Sequence, residues 1–167
     1  MNAIKTRWTE MRDAEALAAV HASAWRWAYS GLIPGGALER RIAAKGPRWW
    51  AGLHRAGGRA LGIEIDGRLV GYARLGPSRG RGFIDAGEIY ELYLSPECCG
   101  AGLGGRLFRA AREALKARGF GPLVVWALAG NEVARRFYLG LGGREAAEGR
   151  TSVGGAPLPE VAYSWAA

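Results

Sequence analysis

The stretch Leu92-Tyr93-Leu94-Ser95-Pro96-Glu97-Cys98-Cys99-Gly100-Ala101-Gly102-Leu103-Gly104-Gly105-Arg106-Leu107 joins a strand to a helix through a turn with glycines at short spacing. Upstream, Glu88 to Leu94 (EIYELYL) is rich in aromatic and aliphatic residues, as strands are. Downstream, Leu107, Ala111, Ala114 and Leu115 fall on one face of a helix predicted over Arg106 to Arg118. Glycine lets backbone approach a ligand and aim successive N–H groups one way. The free N–H groups and positive dipole end of the following helix add to an anion site. No Gly-Lys-Ser/Thr follows, so the turn is not a Walker A loop. Three strands precede it and no acid ends the next strand, LVVWAL, so it is a poor Rossmann fingerprint.

On either side of this turn the pattern alternates between strand and helix. Ile4 to Thr9 reads as a first strand, and Asp13 as the cap of a helix through Leu17, Val20, Ala24 and Trp27. Gly36 to Ala44 and Arg48 to Arg55 read as shorter helices. Arg59 to Ile65 and Arg68 to Leu75 form a hairpin about Asp66-Gly67, and Gly76 to Gly87 a polar loop. Leu123 to Leu128 is a buried-type strand, and Asn131 to Leu141 a helix stopped by Gly142-Gly143. Two strands, near Arg144 to Ser152 and Leu158 to Trp165, flank Gly154-Gly155. This order predicts an α/β (α+β) domain: a mixed, mostly antiparallel sheet of about six to seven strands with helices on both faces.

The chain has 167 residues and is 49% hydrophobic and 23% charged, which suits one domain over 1–167 and excludes a disordered chain. Cys98 and Cys99 are adjacent and close no structural loop, so a reducing, cytoplasmic setting is expected. No apolar run approaches the roughly 18 residues a membrane helix needs, and the start lacks a signal-peptide core. The net charge is +8; of 23 basic residues only Lys5, Lys45 and Lys116 are lysine. Arginine suits phosphate and carboxylate, but the charges are scattered, without the block of a nucleic-acid tail. Neither nucleic acid nor membrane is expected as a partner, and no ligand cluster implies a metal.

The glycine turn resembles the acetyl-CoA pyrophosphate loop of the GCN5-related N-acetyltransferase (GNAT) superfamily, Gln/Arg-x-x-Gly-x-Gly/Ala. Here it reads Cys99-Gly100-Ala101-Gly102-Leu103-Gly104, with Cys99 where Gln or Arg is usual. Asn131 to Gly143, NEVARRFYLGLGG, is similar to the family's Asn-x-x-Ala-x-x-Phe-Tyr-x-x-x-Gly-Phe, with Gly143 replacing the aromatic residue. HASAWRWAYSGLIP and GGAPLPEVAYSW resemble the first helix and last strand of one branch, so the likeness spans nearly the whole chain.

The resemblance implies acetyl transfer from acetyl-CoA, as co-substrate, to a primary amine by direct attack in a ternary complex. The acceptor is a small molecule or a peptide. A catalytically silent acyl-CoA-binding or regulatory module of the same fold is the alternative. Leu92, Tyr93 and Leu94 are expected to pair with the pantetheine. Gly100, Ala101, Gly102, Leu103, Gly104 and Gly105 are expected to hold the pyrophosphate. Asn131 is expected to contact the pantetheine or to cap its helix. Tyr138 is the expected acid for the leaving thiolate, its other reading being a packed core residue. Glu88 is the expected base. Glu91 is the second candidate, and a water relay the third; on a regular strand the two carboxylates face opposite sides, a rule that a bulge would blur. Trp25, Tyr29 and Tyr90 are expected to wall the acceptor pocket, with His21 near them on the first helix. Members of the family often pair, so a homodimer is within the expectation.

Overall fold

The computed structural model describes residues 3–167. Strand β1 (Ile4–Trp8) leads through a short 3-10 turn to α1 (Ala14–Tyr29), α2 (Gly35–Ala44) and α3 (Pro47–Arg55). Then come β2 (Leu61–Ile65), β3 (Arg68–Pro77), β4 (Gly87–Leu94) and α4 (Leu103–Ala117). The chain closes with β5 (Leu123–Leu128), α5 (Glu132–Gly140), β6 (Arg144–Val153) and β7 (Ala156–Trp165). Asp66 and Gly67, at φ 50° and 81°, make the tight turn of the β2–β3 hairpin, and Gly154-Gly155, at 64° and 81°, that of β6–β7. Asp13 does not cap α1 as expected. Its carboxylate is taken by two Arg7 nitrogens at 2.8 and 2.9 Å and by the Glu10 N–H at 2.7 Å.

The strands form one seven-stranded sheet in the order β1-β2-β3-β4-β5-β7-β6. Among the described residues β4 and β5 are the parallel pair; the other neighbours run antiparallel. The expected mixed sheet with helices on both faces is therefore what forms. The faces of β3, shifted by one extra residue at Val70 in its pairing with β2, divide the core. Leu69 and Tyr72 pack under Leu17 and Val20 of α1 and Trp50 of α3. Ala73, with Ile63 and Ile89, packs under Leu107, Ala111 and Leu115 of α4. Full burial of each large side chain contributes roughly 1.5–3 kcal/mol. Tyr138 of α5 joins the α4 side of the core. The two helical layers thus flank the sheet on both faces, α1 and α3 over β3 and α4 over β3, β4 and β5.

Candidate active site

Strands β4 and β5 pair at only two positions, Gly87↔Leu123 and Glu88↔Val124, and then part. Beyond them, alternate N–H and C=O groups of Ile89–Leu94 and Val125–Leu128 point into the split rather than into a ladder. Parallel strands diverging in this way leave a wedge open at their C-terminal ends. A cavity of about 320 Å³ fills the wedge. Leu92, Tyr93 and Leu94 line one wall, Val125, Trp126 and Ala127 the other, and α5 closes the side.

The glycine turn lies at one end of this cavity. Cys99, Gly100, Gly102, Gly104 and Gly105 line it; Ala101 is exposed, and Leu103 is buried in the core. Gly102 caps α4 at φ 77°, a left-handed conformation that a side chain would strain. The Arg106 N–H is the first to bond back into the helix, to Gly102 O at 3.2 Å, which leaves the N–H groups of residues 103–105 for a ligand. Gly104 packs close to α5: a Cβ there would stand 3.0 Å from the Phe137 ring. Cys99 is exposed, and desolvation pushes its thiol pKa up, which keeps it a neutral thiol.

Asn131 and Tyr138 both line the cavity. Asn131 caps α5, its side-chain oxygen accepting from the Ala134 N–H at 3.2 Å, and its amide NH₂ remains free of that bond. Capping and cavity lining are thus held by one side chain. Tyr138 stands two turns further along the same face, 6% exposed among Phe108, Phe137, Tyr163 and Trp165. Burial, with Tyr29 nearby, pushes its pKa well up, so the phenol holds its proton at neutral pH.

The two strand carboxylates are arranged by one extra residue. Arg74 faces Glu91 and Leu75 faces Ile89 across β3–β4, so Tyr90 is bulged out of the pairing. Glu88, opposite Gly76, consequently shares a face with Glu91. Gly76 is what lets the bulge fold down, since a Cβ there would meet the Tyr90 hydroxyl and ring. The carboxylates differ in what they meet. Glu88 is 2% exposed and accepts three bonds from Arg79, from the backbone N–H at 2.9 Å, Nε at 3.1 Å and Nη2 at 2.6 Å. It is not among the cavity's lining residues. Through those bonds it latches the loop between β3 and β4. Glu91 lines the cavity. Lys45 pairs with one of its oxygens; the other, Oε2, is buried, has no hydrogen-bond partner, and lies 3.8 Å from Arg74 Nη1.

The acceptor side is aromatic. Tyr29 lines the cavity and its hydroxyl meets that of Tyr93 at 2.8 Å. Tyr90 also lines it, its hydroxyl donating to Pro77 O. Trp25 does not line it. It packs between His21 and Tyr29 with its indole N–H unpartnered, and Trp27, with Ala24 and Ala28, takes the place expected of it. The spacing Ala24, Trp27, Ala28 was the available signal, because those positions share one helical stripe. His21 is 1% exposed, with Nδ1 2.9 Å from the Tyr72 hydroxyl and Nε2 unpartnered. Burial, assisted by Lys45 and opposed by Glu91, lowers its pKa to about 4, so it is neutral. Lys45, Trp49 and Arg74 had no motif: Trp49 lies under both cations, at 4.9 and 5.1 Å. Among the described residues no group of three or more His, Cys, Asp or Glu could hold a metal, and no helix is long and apolar enough to cross a membrane.

The model of the acetyltransferase (GNAT) family matches residues 18–142. Over 96% of its length the chain is 36% identical to the mycothiol acetyltransferase of Rhodococcus opacus (strain B4), of which it covers 49%. It spans about half the length of the curated relatives it matches. The fold is shared with the PaiA N-acetyltransferase of Thermoplasma acidophilum, solved in complex with coenzyme A (TM-score 0.76, 22% identity, 95% of this chain and 98% of that one). It is shared equally with a GCN5-related N-acetyltransferase from Rhodopseudomonas palustris (TM-score 0.79, 23% identity, 100% and 98%).

Proposed function

The chain belongs to the GNAT acetyltransferase family, and we propose that it moves the acetyl group of acetyl-CoA onto a primary amine by direct attack in a ternary complex. The observation that carries this reading is the cavity in the β4/β5 split, which connects the glycine N-terminus of α4 with Tyr138, Asn131 and Glu91. The relatives named mycothiol acetyltransferase are about twice as long as this chain; the acceptor here is assigned by class alone.

When bound, acetyl-CoA supplies an acetyl thioester. The residues present fit it: open N–H groups at the start of α4 suit the pyrophosphate, and the unpaired edge at Leu92–Leu94 suits an amide-bearing arm. The amide NH₂ of Asn131 orients that arm from the side. Backbone N–H groups of β4 facing the split polarise the thioester carbonyl. Glu91 accepts a proton from the amine through its unpartnered Oε2. The nitrogen lone pair then forms the C–N bond as the C–S bond breaks, the departing sulfur takes the Tyr138 proton, and the second proton shed by the acylated nitrogen restores the phenol, leaving Glu91 to give its proton to solvent. Burial raises the pKa of phenol and thiol alike, which keeps the transfer between them feasible in the cavity.

Replacing Tyr138 with Phe tests this. The ring and its packing stay, and only the hydroxyl is lost. Single-turnover acetyl transfer should slow roughly 10²-fold, the lower end of what a positioned acid contributes, with acetyl-CoA affinity unchanged. Equal single-turnover rates would remove the acid role.

A further inference from the structure

A second cavity, of about 390 Å³, opens behind the acceptor side of β4. Arg59, Arg74 and Arg118 line it with Trp8 and Tyr90. Three distant segments bring the arginines together: the loop before β2, strand β3, and the C-terminus of α4. Among the described residues neither Arg59 nor Arg118 has an acidic partner, and the nearest acid to Arg74 is Glu91 at 3.8 Å. Cations outnumber acids in the neighbourhood. Lys45 and Arg74 stand against Glu91 and Arg79 against Glu88, while Arg59 and Arg118 line the cavity without an acid.

The cavity adjoins the reaction site. Tyr90 lines both cavities, and Arg74, in the wall of the second, reaches Glu91 in the wall of the first. It is not a place for the acetyl-CoA pyrophosphate. Arg118 follows the last turn of α4 and Gly102 precedes its first, so 15 helical residues, about 22 Å, lie between them. A cationic pocket one side chain away from the amine's base repels a polyamine and attracts an acceptor with a negative end. Guanidinium groups converging from several directions suit a group with several equivalent oxygens.

We propose that the amine acceptor carries an anionic oxyacid group, a carboxylate or a phosphate, and that Arg59, Arg74 and Arg118 hold it while the amine lies at Glu91. This rests on the acetyltransfer reading above and names its substrate class.

The test has two arms. Inorganic phosphate is the probe of the cavity, read as a melting shift without acetyl-CoA. Because the α4 N-terminus also attracts anions, the shift is measured in wild type, in Gly105→Asp, which blocks that end, and in the double variant Arg59→Gln/Arg118→Gln. The shift should persist in Gly105→Asp and vanish in the double variant. Loss in Gly105→Asp with retention in the double variant, or no shift in wild type, overturns the proposal whatever the enzyme's activity. In the second arm, CoA release is followed with β-alanine against propylamine, phosphoethanolamine against ethanolamine, and spermidine. The anionic member of at least one pair should have a kcat/KM about tenfold above its neutral counterpart, falling to parity in the double variant. Preference for the neutral amines or for spermidine overturns the proposal. Failure of the acetyltransfer reading looks different: acetyl-CoA then gives no melting shift and no amine releases CoA, whereas phosphate binding still reports on the arginines.

Discussion

Glu88 and Glu91 share a face of β4 and have opposite prospects as proton acceptors. Every oxygen of Glu88 is occupied by Arg79, whereas Glu91 lines the cavity and keeps one oxygen without a hydrogen bond. Glu91→Gln should therefore cost roughly 10²-fold in turnover at pH below the amine's pKa, where the acceptor arrives protonated. The deficit should shrink as pH rises and free amine needs no base. Glu88→Gln should show no such pH trend; it should destabilise the fold, because Arg79 loses a buried charged partner. Turnover against pH for both variants, with melting curves, separates the roles. A pH-dependent loss confined to Glu88→Gln would return the base to that residue. The types of these residues were legible in the sequence, but their facing was not. It depends on the bulge at Tyr90, which in turn depends on the bare Cα of Gly76 on the neighbouring strand.

The N-terminus of α4 shows how an element divides one motif into different duties. Gly102 serves the backbone turn and Gly104 the contact with Phe137, so a substitution at either disturbs packing as well as binding. Gly105 is the informative position. A Cβ there meets only the flexible Arg109 guanidinium at 3.3 Å and the Leu141 side chain at 3.8 Å. An acid in the first helical turn is favourable by about 0.3–1 kcal/mol, so Gly105→Asp should melt no lower than wild type. Acetyl-CoA at about 100 times its Kd should raise the wild-type melting temperature by roughly 5–10 °C. The variant should lose most of this, since its carboxylate meets the pyrophosphate. A full shift in the variant would move the phosphate site away from α4. Strand and helix bounds follow local pattern closely: Leu123 to Leu128 is legible with its observed bounds, because an apolar run between Pro122 and the next turn has no competing period. Helix α4 starts three residues before Arg106, where the apolar pattern predicts it, since glycines that look like loop are helical here.

Across the whole molecule, local sequence specified which elements form, and the meeting of distant segments specified the chemistry. Arg59, Arg74 and Arg118, or Lys45 with Glu91, come together only through strand order and helix placement. No spacing in the chain encodes that. The divergence of β4 from β5 after two pairs has a further consequence, for motion rather than catalysis. Most strand amides in the sheet are locked in ladders on both sides, but those directed into the split have no partner until a ligand arrives. In deuterated solvent the apo protein should exchange alternate amides of Ile89–Leu94 within the fastest class, while β5 amides directed toward β7 stay slow. Acetyl-CoA should protect the β4 set selectively, by completing the missing strand. Slow exchange of those amides in the apo protein would mean that the two halves of the sheet close on each other in solution. The seam left by two strands would then be a breathing hinge that its ligand splints shut.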